Sequence, residues 1–146
     1  MQIKLRIPDW SVQTECYKNG EACGRIENGY FLLDGAFENG DELTLTYRAE
    51  LQAIPLNGKV ALKKGAIVMA RDERFGEAIE EKVALQLKDG KPVWEETENT
   101  AFQAKETLAV ACENGKVIHV CDYASAGMDW KNGKNKITVW MSREGE

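Results

Sequence analysis

The sequence predicts an all-β domain, an antiparallel β-sandwich of jelly-roll type with little helix. Asn-Gly occurs six times and Asp-Gly twice along the 146 residues. Both dipeptides tolerate the positive φ of the type I′ turns that join hairpin strands. The segments between these dipeptides are short, and they either alternate between apolar and polar residues or are apolar throughout, as strands do. We therefore expect one domain over residues 1–146, with about ten strands.

The strands follow from the residue patterns between the turns. Alternating segments predict strands with one buried face, and short continuous apolar runs predict strands covered on both faces. The predicted strands are residues 3–7, 42–48, 60–62, 66–70, 108–112, 117–121 and 137–140. The predicted core consists of apolar residues within them: Leu5, Ile7, Leu43, Leu45, Leu62, Val68, Val110, Ile118, Val120, Ile137 and Val139.

Two segments lack a clear strand pattern. Over residues 73–87, apolar side chains recur every four residues from Phe75 to Leu87, as on one face of a helix, but Gly76 stands near the start. We expect a loop or short helix over residues 73–82 and then a strand. The acidic and polar residues 95–100 predict a solvated loop.

Charge and hydropathy exclude two classes of partner. The formal net charge is −5, which argues against nucleic acid, because non-specific binding there needs a basic surface. No run reaches the roughly 18 apolar residues of a membrane-spanning helix. The first residues, 1–8, already have a strand pattern and lack the apolar segment of a signal peptide. We therefore expect the chain to be a piece of a longer protein.

The four cysteines predict free thiols. Cys16 and Cys23 would lie opposite each other across a turn at Asn19-Gly20, as a hydrogen-bonded pair whose geometry strains a disulfide. Cys112 and Cys121 would share one hairpin without being opposite each other. No C-x-x-C pair occurs, so a structural zinc site is not expected. Free thiols fit a reducing compartment such as the cytoplasm.

His119 is the sole histidine. A hairpin turn at residues 114–115 would place it opposite Val110, on one face with Leu108, Cys112 and Cys121. A core histidine with one satisfied nitrogen is the commoner interpretation of such a position. The alternative is a small cysteine-dependent enzyme in which His119 activates Cys121. Against it, a reactive thiolate needs an accessible, electropositive site, and both cysteines are expected to face inward.

Three aromatic residues are candidates for stacking against a sugar ring: Trp130, Trp94 and Tyr30. Trp130 is expected at a loop tip between polar residues, where it either binds a ligand or covers a sheet edge. Trp140, on a regular strand, is expected in the core. The paired carboxylates are adjacent in sequence, so on a strand they would point to opposite faces and form no glycosidase pair.

Three motifs together resemble the C-terminal β-sandwich region of the β-L-arabinofuranosidase-type glycoside hydrolases, family 127. They are residues 5–11 (LRIPDWS), 60–68 (VALKKGAIV) and 137–141 (ITVWM). Gly29-Tyr30 and Gly40-Asp41 match further short family motifs between the first two. The resemblance extends over residues 3–141. Two departures are Ala66, where the family has proline, and residues 121–127, which lack the family's Asn-Arg.

In that family, a helical barrel carries a zinc ion and a cysteine nucleophile beside an adjacent Cys-Cys pair. This chain has no adjacent cysteines, so the resemblance implies no catalytic residue, metal ligand or cofactor here. It implies a non-catalytic accessory domain whose partner is the helical-barrel catalytic domain of the same enzyme. A free-standing carbohydrate-binding module, with carbohydrate as its partner, is the alternative.

Overall fold

The computed structural model describes residues 1–98 and 101–145. This part of the chain contains sixteen strands, three single-turn 3-10 helices and no α-helix. All pairings between these strands are antiparallel. The all-β fold class is therefore confirmed. The chain divides into two compact units, Met1–Glu50 and Leu51–Glu146, and the single domain expected from the sequence stays a prediction.

The first unit consists of two three-stranded sheets, ordered β1-β5-β4 and β3-β2-β6. Its strands are β1 Gln2–Arg6, β2 Ser11–Lys18, β3 Glu21–Ala22, β4 Arg25–Glu27, β5 Tyr30–Asp34 and β6 Leu43–Ala49. Cys16, Phe31 and Leu33 form its buried core. The predicted core residues of this unit pack against these three and are partly buried: Leu5, Ile7, Leu43 and Leu45.

The second unit has one eight-stranded sheet, ordered β12-β13-β14-β9-β8-β16, with β7 also paired to β8 and β15 to β9. β10 and β11 form a separate two-stranded sheet. The strands are β7 Leu51–Leu56, β8 Lys59–Lys64, β9 Ile67–Asp72, β10 Leu87–Lys88, β11 Lys91–Pro92, β12 Trp94–Glu96, β13 Thr107–Ala111, β14 Val117–Asp122, β15 Ile137–Thr138 and β16 Met141–Ser142. The 3-10 helices are Glu73–Phe75, Glu113–Gly115 and Tyr123–Ser125.

The core of the second unit confirms four predicted residues, Leu62, Val110, Ile118 and Val120, all of which are buried. Met69, Leu108 and Met141 pack with them. Ile137 and Val139 are only partly buried.

Four of the predicted turn dipeptides form two-residue hairpin loops. In each, both residues have positive φ, for example Asn19 at 51° and Gly20 at 85°. The strand residues on either side pair directly, as Lys18 does with Glu21. These are the backbone angles of type I′ turns, which match the twist of the flanking strands. The four loops are 19–20, 28–29, 57–58 and 89–90.

Several expectations about burial are wrong. Val68 and Trp140 were expected in the core, but each is 40% exposed. The burial on β9 begins at Met69 rather than at Ile67. The first part of the strand pairs only with β8, whereas from Met69 onward the strand also pairs with β14 and β15. Glu95 and Glu96, expected in a loop, belong to β12, which pairs with β13. Of that predicted loop, residues 99–100 lie outside the described residues.

The predicted position of His119 is also wrong. His119 pairs with Ala109, and Val110 pairs with Ile118. The loop between these strands has three residues, Glu113–Gly115, because the Cys112 N–H donates to the Lys116 carbonyl at 2.8 Å. One additional loop residue shifts the register by one and moves a side chain to the other face of the sheet. His119 is therefore half-buried, away from the core face.

Residues 73–87 form no continuous helix. After the 3-10 turn at Glu73–Phe75 the chain runs as a loop, makes isolated bridges at Val83 and Leu85, and enters β10 at Leu87. The apolar spacing of four residues does not reflect a helix here. Ile79 and Val83 belong to the loop, and both side chains are buried. The loop or short helix expected over residues 73–82 is observed as a 3-10 turn followed by a loop, and the strand expected after it is reduced to isolated bridges and the two-residue β10.

No helix in the described residues has the length and apolar character that a membrane span requires. All four cysteines are free thiols, as expected.

Candidate functional site

A groove lies at one end of the eight-stranded sheet. Because neighbouring strands are antiparallel, β8, β12 and β14 end where β9 and β13 begin. The groove encloses about 690 Å³, a size that suits a small organic ligand. We call it the end groove, and it is lined by Ile67, Val68, Glu96, Thr97, Lys105, Glu106, Thr107, Asp122, Tyr123 and Ala124.

The polar part of the end groove is organised by Lys64. Its ammonium is hydrogen-bonded to Glu106 and, at 3.0 Å, to Glu96, and it lies 4.8 Å from the ring centre of Trp94. Burial by itself lowers the pKa of Lys64, but its hydrogen bonds to the two carboxylates raise the pKa above its ordinary value overall. Lys64 is therefore a fixed cation at neutral pH, and the two carboxylates share it.

Asp122 shapes the far side of the end groove. One carboxylate oxygen accepts hydrogen bonds from the backbone N–H groups of Lys105 at 3.0 Å and Glu106 at 3.1 Å. The other accepts from the N–H of Ser125 at 3.1 Å and from its hydroxyl at 2.8 Å. All four bonds hold backbone turns in place. Asp122 therefore acts as a structural carboxylate that fixes the turn carrying Tyr123.

The exposed surface of the end groove is aromatic and aliphatic. Tyr123 is 55% exposed, and Ile67 and Val68 are also exposed. A flat aromatic ring beside carboxylates and an ammonium is an arrangement that can stack on a sugar ring and bind its hydroxyls. The same surface can equally pack against another protein, since exposed apolar groups on a rim are typical of interfaces.

A second polar cluster holds the loop after β9. Arg71 is 2% exposed, and its guanidinium donates to the carbonyls of Ala78 at 3.0 Å, Glu81 at 3.1 Å and Ile79 at 3.3 Å. Its Nη2 is 3.5 Å from a carboxylate oxygen of Glu77. Arg71 therefore satisfies loop carbonyls that a helix would have bonded internally.

Glu77 links this loop to β14. Its carboxylate accepts from the backbone N–H of His119 at 3.0 Å and lies 2.5 Å from the imidazole Nδ1. The ring of Phe75 lies 5.6 Å from the imidazole, centre to centre. The partner of His119, which could not be identified from the sequence, is therefore the Glu77 carboxylate. This carboxylate fixes the orientation of the imidazole ring.

Asp72 and Arg74 form a buried ion pair beside that cluster. Asp72 accepts from the Nε of Arg74 at 2.9 Å and from the N–H of Gly127 at 2.7 Å. Burial raises the pKa of Asp72, but the hydrogen bonds from Arg74 and Gly127 outweigh it and lower the pKa overall. Arg74 also lies 3.7 Å from the ring centre of Phe102 and donates to the Ser125 carbonyl. This pair ties three loops together.

The alternative of a cysteine-dependent enzyme finds little support in these contacts. Cys121 is fully buried. Desolvation, followed by the charges of Asp72 and Asp122, raises its pKa to about 12. Burial likewise raises the pKa of Cys112. A nucleophilic cysteine needs the opposite shift and an exposed sulfur.

The three predicted sugar-stacking residues do not share an element. Tyr30 begins β5 in the first unit and is partly exposed. Trp94 lies on β12, partly buried against the core of the second unit. Trp130 is 76% exposed in a turn closed by the bridge between Asp129 and Lys134. A sugar-binding role for each of them stays a prediction.

The residues that organise the end groove were missed by sequence reasoning. Lys64, Glu106 and Tyr123 come from three distant segments, and no motif connects them. No cluster of three or more His, Cys, Asp or Glu side chains suited to a metal ion occurs in residues 1–98 and 101–145.

Comparison with known proteins gives structural matches only. No family model and no curated protein sequence matches the chain. A GH127 beta-L-arabinofuranosidase from Geobacillus stearothermophilus T6 is 21% identical with a TM-score of 0.67, and the match covers 98% of this chain and 26% of that one. A second GH127 beta-arabinofuranosidase is 15% identical with a TM-score of 0.70, covering 98% of this chain and 28% of that one.

A third matching structure, described as a glycoside hydrolase, is 19% identical with a TM-score of 0.64, and the match covers 97% of this chain and 27% of that one. The chain thus spans about a quarter of the length of these proteins. It has the fold of one part of them, in agreement with the resemblance predicted from its sequence.

Proposed function

We propose that this chain is a non-catalytic accessory domain of a larger glycoside hydrolase acting on arabinofuranosyl-type sugars, packed against a helical-barrel catalytic domain. One observation carries the proposal: the fold match covers nearly all of this chain but only about a quarter of each matched enzyme. The state of the carboxylates supports it. Glu96 and Glu106 share Lys64, whereas a glycosidase needs one carboxyl free to donate a proton.

The first experiment tests whether the chain is non-catalytic. Purified chain is assayed against 4-nitrophenyl β-L-arabinofuranoside before and after a second chromatography step. We expect no hydrolysis above the buffer rate. Activity that co-elutes with the chain through both steps would overturn the proposal. If the variants Cys121→Ser and His119→Gln then abolished it, the cysteine-dependent enzyme would be the correct reading.

A second experiment tests the packing role with a chimera. The segment of the Geobacillus stearothermophilus enzyme that aligns with this chain is replaced by this chain, and a matched deletion removes the segment altogether. If the segment stabilises the rest of the enzyme by packing, the chimera will be more soluble and will melt at a higher temperature than the deletion. A chimera no better than the deletion contradicts the packing role.

A free-standing carbohydrate-binding module is the second candidate, and the end groove favours it. The groove combines the exposed ring of Tyr123 with charged side chains that can bind sugar hydroxyls. Intrinsic fluorescence is followed during titration with arabinose-containing oligosaccharides and with unrelated glycans. The accessory role predicts no change, whereas a saturable change specific to one sugar class identifies a binding module.

Matched variants then locate the binding surface. Tyr123→Ala removes the groove ring, and Tyr47→Ala removes a ring of similar exposure on β6, 53% against 55%. Trp130→Ala removes the exposed loop indole. Binding lost only in Tyr123→Ala assigns the end groove, and binding lost only in Trp130→Ala assigns the loop. Binding unaffected by Tyr123→Ala and Trp130→Ala excludes both surfaces.

A further inference from the structure

Two thiols face each other across the first hairpin of the chain. Cys16 lies on β2, and Cys23 follows β3 directly. The Cys23 N–H donates to the Cys16 carbonyl at 2.9 Å, which continues the pairing of Tyr17 with Ala22. The two Sγ atoms are 3.8 Å apart. The rigid turn at Asn19-Gly20 therefore holds the sulfurs close together without a bond.

The two thiols differ in accessibility. Cys16 is 3% exposed and belongs to the core with Phe31 and Leu33. Cys23 packs against the same core but is only partly buried. Burial, then the hydrogen bond and charge of Cys23, raise the pKa of Cys16 to about 11. Cys23 is thus the thiol that a reagent in solution meets first, and Cys16 is held directly behind it.

We propose that Cys16 and Cys23 form a redox-active dithiol that a small disulfide of the glutathione type oxidises reversibly to an intramolecular disulfide. This site is independent of the end groove and goes beyond the accessory role. It places a modification site in the first unit, whose only two cysteines are this pair.

The reaction balances over two exchange steps. Deprotonated Cys23 Sγ attacks one sulfur of the small disulfide, the S–S bond breaks, and one small thiolate leaves. Cys16 then loses its proton to solvent, and its Sγ attacks Cys23 Sγ and expels the second small thiolate. The protein loses two electrons and two protons, and the small disulfide is reduced to two thiols.

The short distance between the two Sγ atoms favours formation of the disulfide, and the backbone favours its reduction. The second step needs the sulfurs to approach from 3.8 Å to about 2.05 Å, a movement within reach of small χ1 rotations. Because the Cys23 N–H is hydrogen-bonded to the Cys16 carbonyl, the two residues face each other as in a hydrogen-bonded pair, and the backbone there resists the preferred disulfide geometry. A bond formed under such strain is reduced more readily than a structural disulfide, which makes the modification reversible.

The other two thiols supply an internal control. Cys112 and Cys121 are buried in the second unit, and Cys121 pairs with Thr107 rather than with another cysteine. They should remain reduced while the first pair is oxidised.

The test exposes the native chain to oxidised glutathione at several ratios to reduced glutathione. The chain is then unfolded in guanidinium chloride with N-ethylmaleimide present, so that every remaining thiol, buried or exposed, is blocked, and the products are mapped by peptide mass spectrometry. We expect a linked pair of peptides containing Cys16 and Cys23, with Cys112 and Cys121 blocked as thiols. Excess reduced glutathione should restore four blockable thiols. This test uses the unsubstituted chain, so misfolding of a variant cannot affect its result.

Three variants test the order of the steps. Cys16→Ser should accumulate a glutathione adduct on Cys23 and lose it at least about tenfold more slowly than the unsubstituted chain, because no neighbouring thiol resolves it. Cys23→Ser should leave Cys16 unmodified. Cys112→Ser is the matched control and should behave as the unsubstituted chain. A persistent adduct on Cys23 of the unsubstituted chain, or no reaction at any glutathione ratio, overturns the proposal.

Discussion

Replacing Arg71 with methionine should strongly destabilise the second unit. Methionine keeps an unbranched chain of similar length but removes the guanidinium. Three loop carbonyls, of Ala78, Ile79 and Glu81, then lose their donor. The hydrogen bond to Ile79 is buried and those to Ala78 and Glu81 are partly buried, and each such carbonyl left without a partner costs about 1 kcal/mol or more. We expect the free energy of unfolding to fall by about 3–4 kcal/mol.

That loss is large compared with the total stability of a domain, which is about 5–15 kcal/mol. With a denaturant dependence of about 2 kcal/mol per molar urea, the unfolding midpoint should fall by about 1.5–2 M. Arg71→Lys should lose less, because an ammonium can still reach some of the carbonyls. The exposed Arg6→Met on β1 is the matched control and should change the free energy of unfolding by no more than about 0.5 kcal/mol.

Amide hydrogen exchange shows where the loss occurs. The N–H of Val83 donates to the Ser142 carbonyl at 2.8 Å, and the N–H of Glu144 donates to the Val83 carbonyl at 3.0 Å. In Arg71→Met these amides should exchange faster than in the unsubstituted chain. Amides that bond β13 to β14 should keep their local protection and should exchange faster only as far as global unfolding becomes easier. A free-energy loss below about 1 kcal/mol would refute the reasoning, because it would mean that water satisfies the loop carbonyls as well as Arg71 does.

Three other predictions concern Gly127, the buried carboxylate of Asp72 and the accessibility of the thiols. Gly127 has φ +69°, and an added Cβ would lie 3.2 Å from the Asn135 carbonyl oxygen. Gly127→Ala should therefore cost about 2–3 kcal/mol in urea unfolding, against about 1 kcal/mol for Gly133→Ala, where φ is +70° but the space is open. Because the pKa of Asp72 is lowered in the folded protein, its stabilising effect is complete above its unfolded pKa of about 3.9 and is lost as the pH falls through the folded value. The urea concentration at the unfolding midpoint should therefore decrease when the pH is lowered below about 4, and it should decrease less in Asp72→Asn. Equal decreases in both proteins would contradict this. Maleimide labelling of the native chain should reach Cys23 and spare Cys121, whose burial raises its pKa to about 12; rapid labelling of Cys121 would revive the cysteine-dependent enzyme.

The turns could be predicted from the sequence because their cause is local. Asn, Asp and Gly tolerate positive φ, and Asn19-Gly20 and Asp89-Gly90 are two of the four dipeptides that form type I′ loops. The turn at Asn114-Gly115 differs from these by one residue. The dipeptide does lie in a hairpin loop, but the hydrogen bond from Cys112 to Lys116 encloses three residues. That single additional residue reversed the predicted facing of His119.

The end groove could not be predicted, because the order of strands in the sheet creates it. Lys64, Glu96, Glu106 and Tyr123 meet only because β12, β13, β14, β9 and β8 are neighbours in that order. Chain order gives no such arrangement. For the same reason Val68 was misplaced: the apolar run containing it looks buried in sequence, but its first half forms an exposed wall of the groove.

The carboxyl groups whose pKa is shifted bear on the proposed accessory role. A general acid in a glycosidase is a carboxyl group kept protonated near neutral pH, so its pKa must be raised. Every described carboxyl group with a resolved shift has a lowered pKa instead, and each is held by a cation: Asp34 by Arg25, Asp41 by Lys18, Asp72 by Arg74 and Glu81 by Lys116. These groups stay ionised and fix turns and strand ends. Such a charge arrangement stabilises loops around a rigid sheet, as the proposed packing role requires.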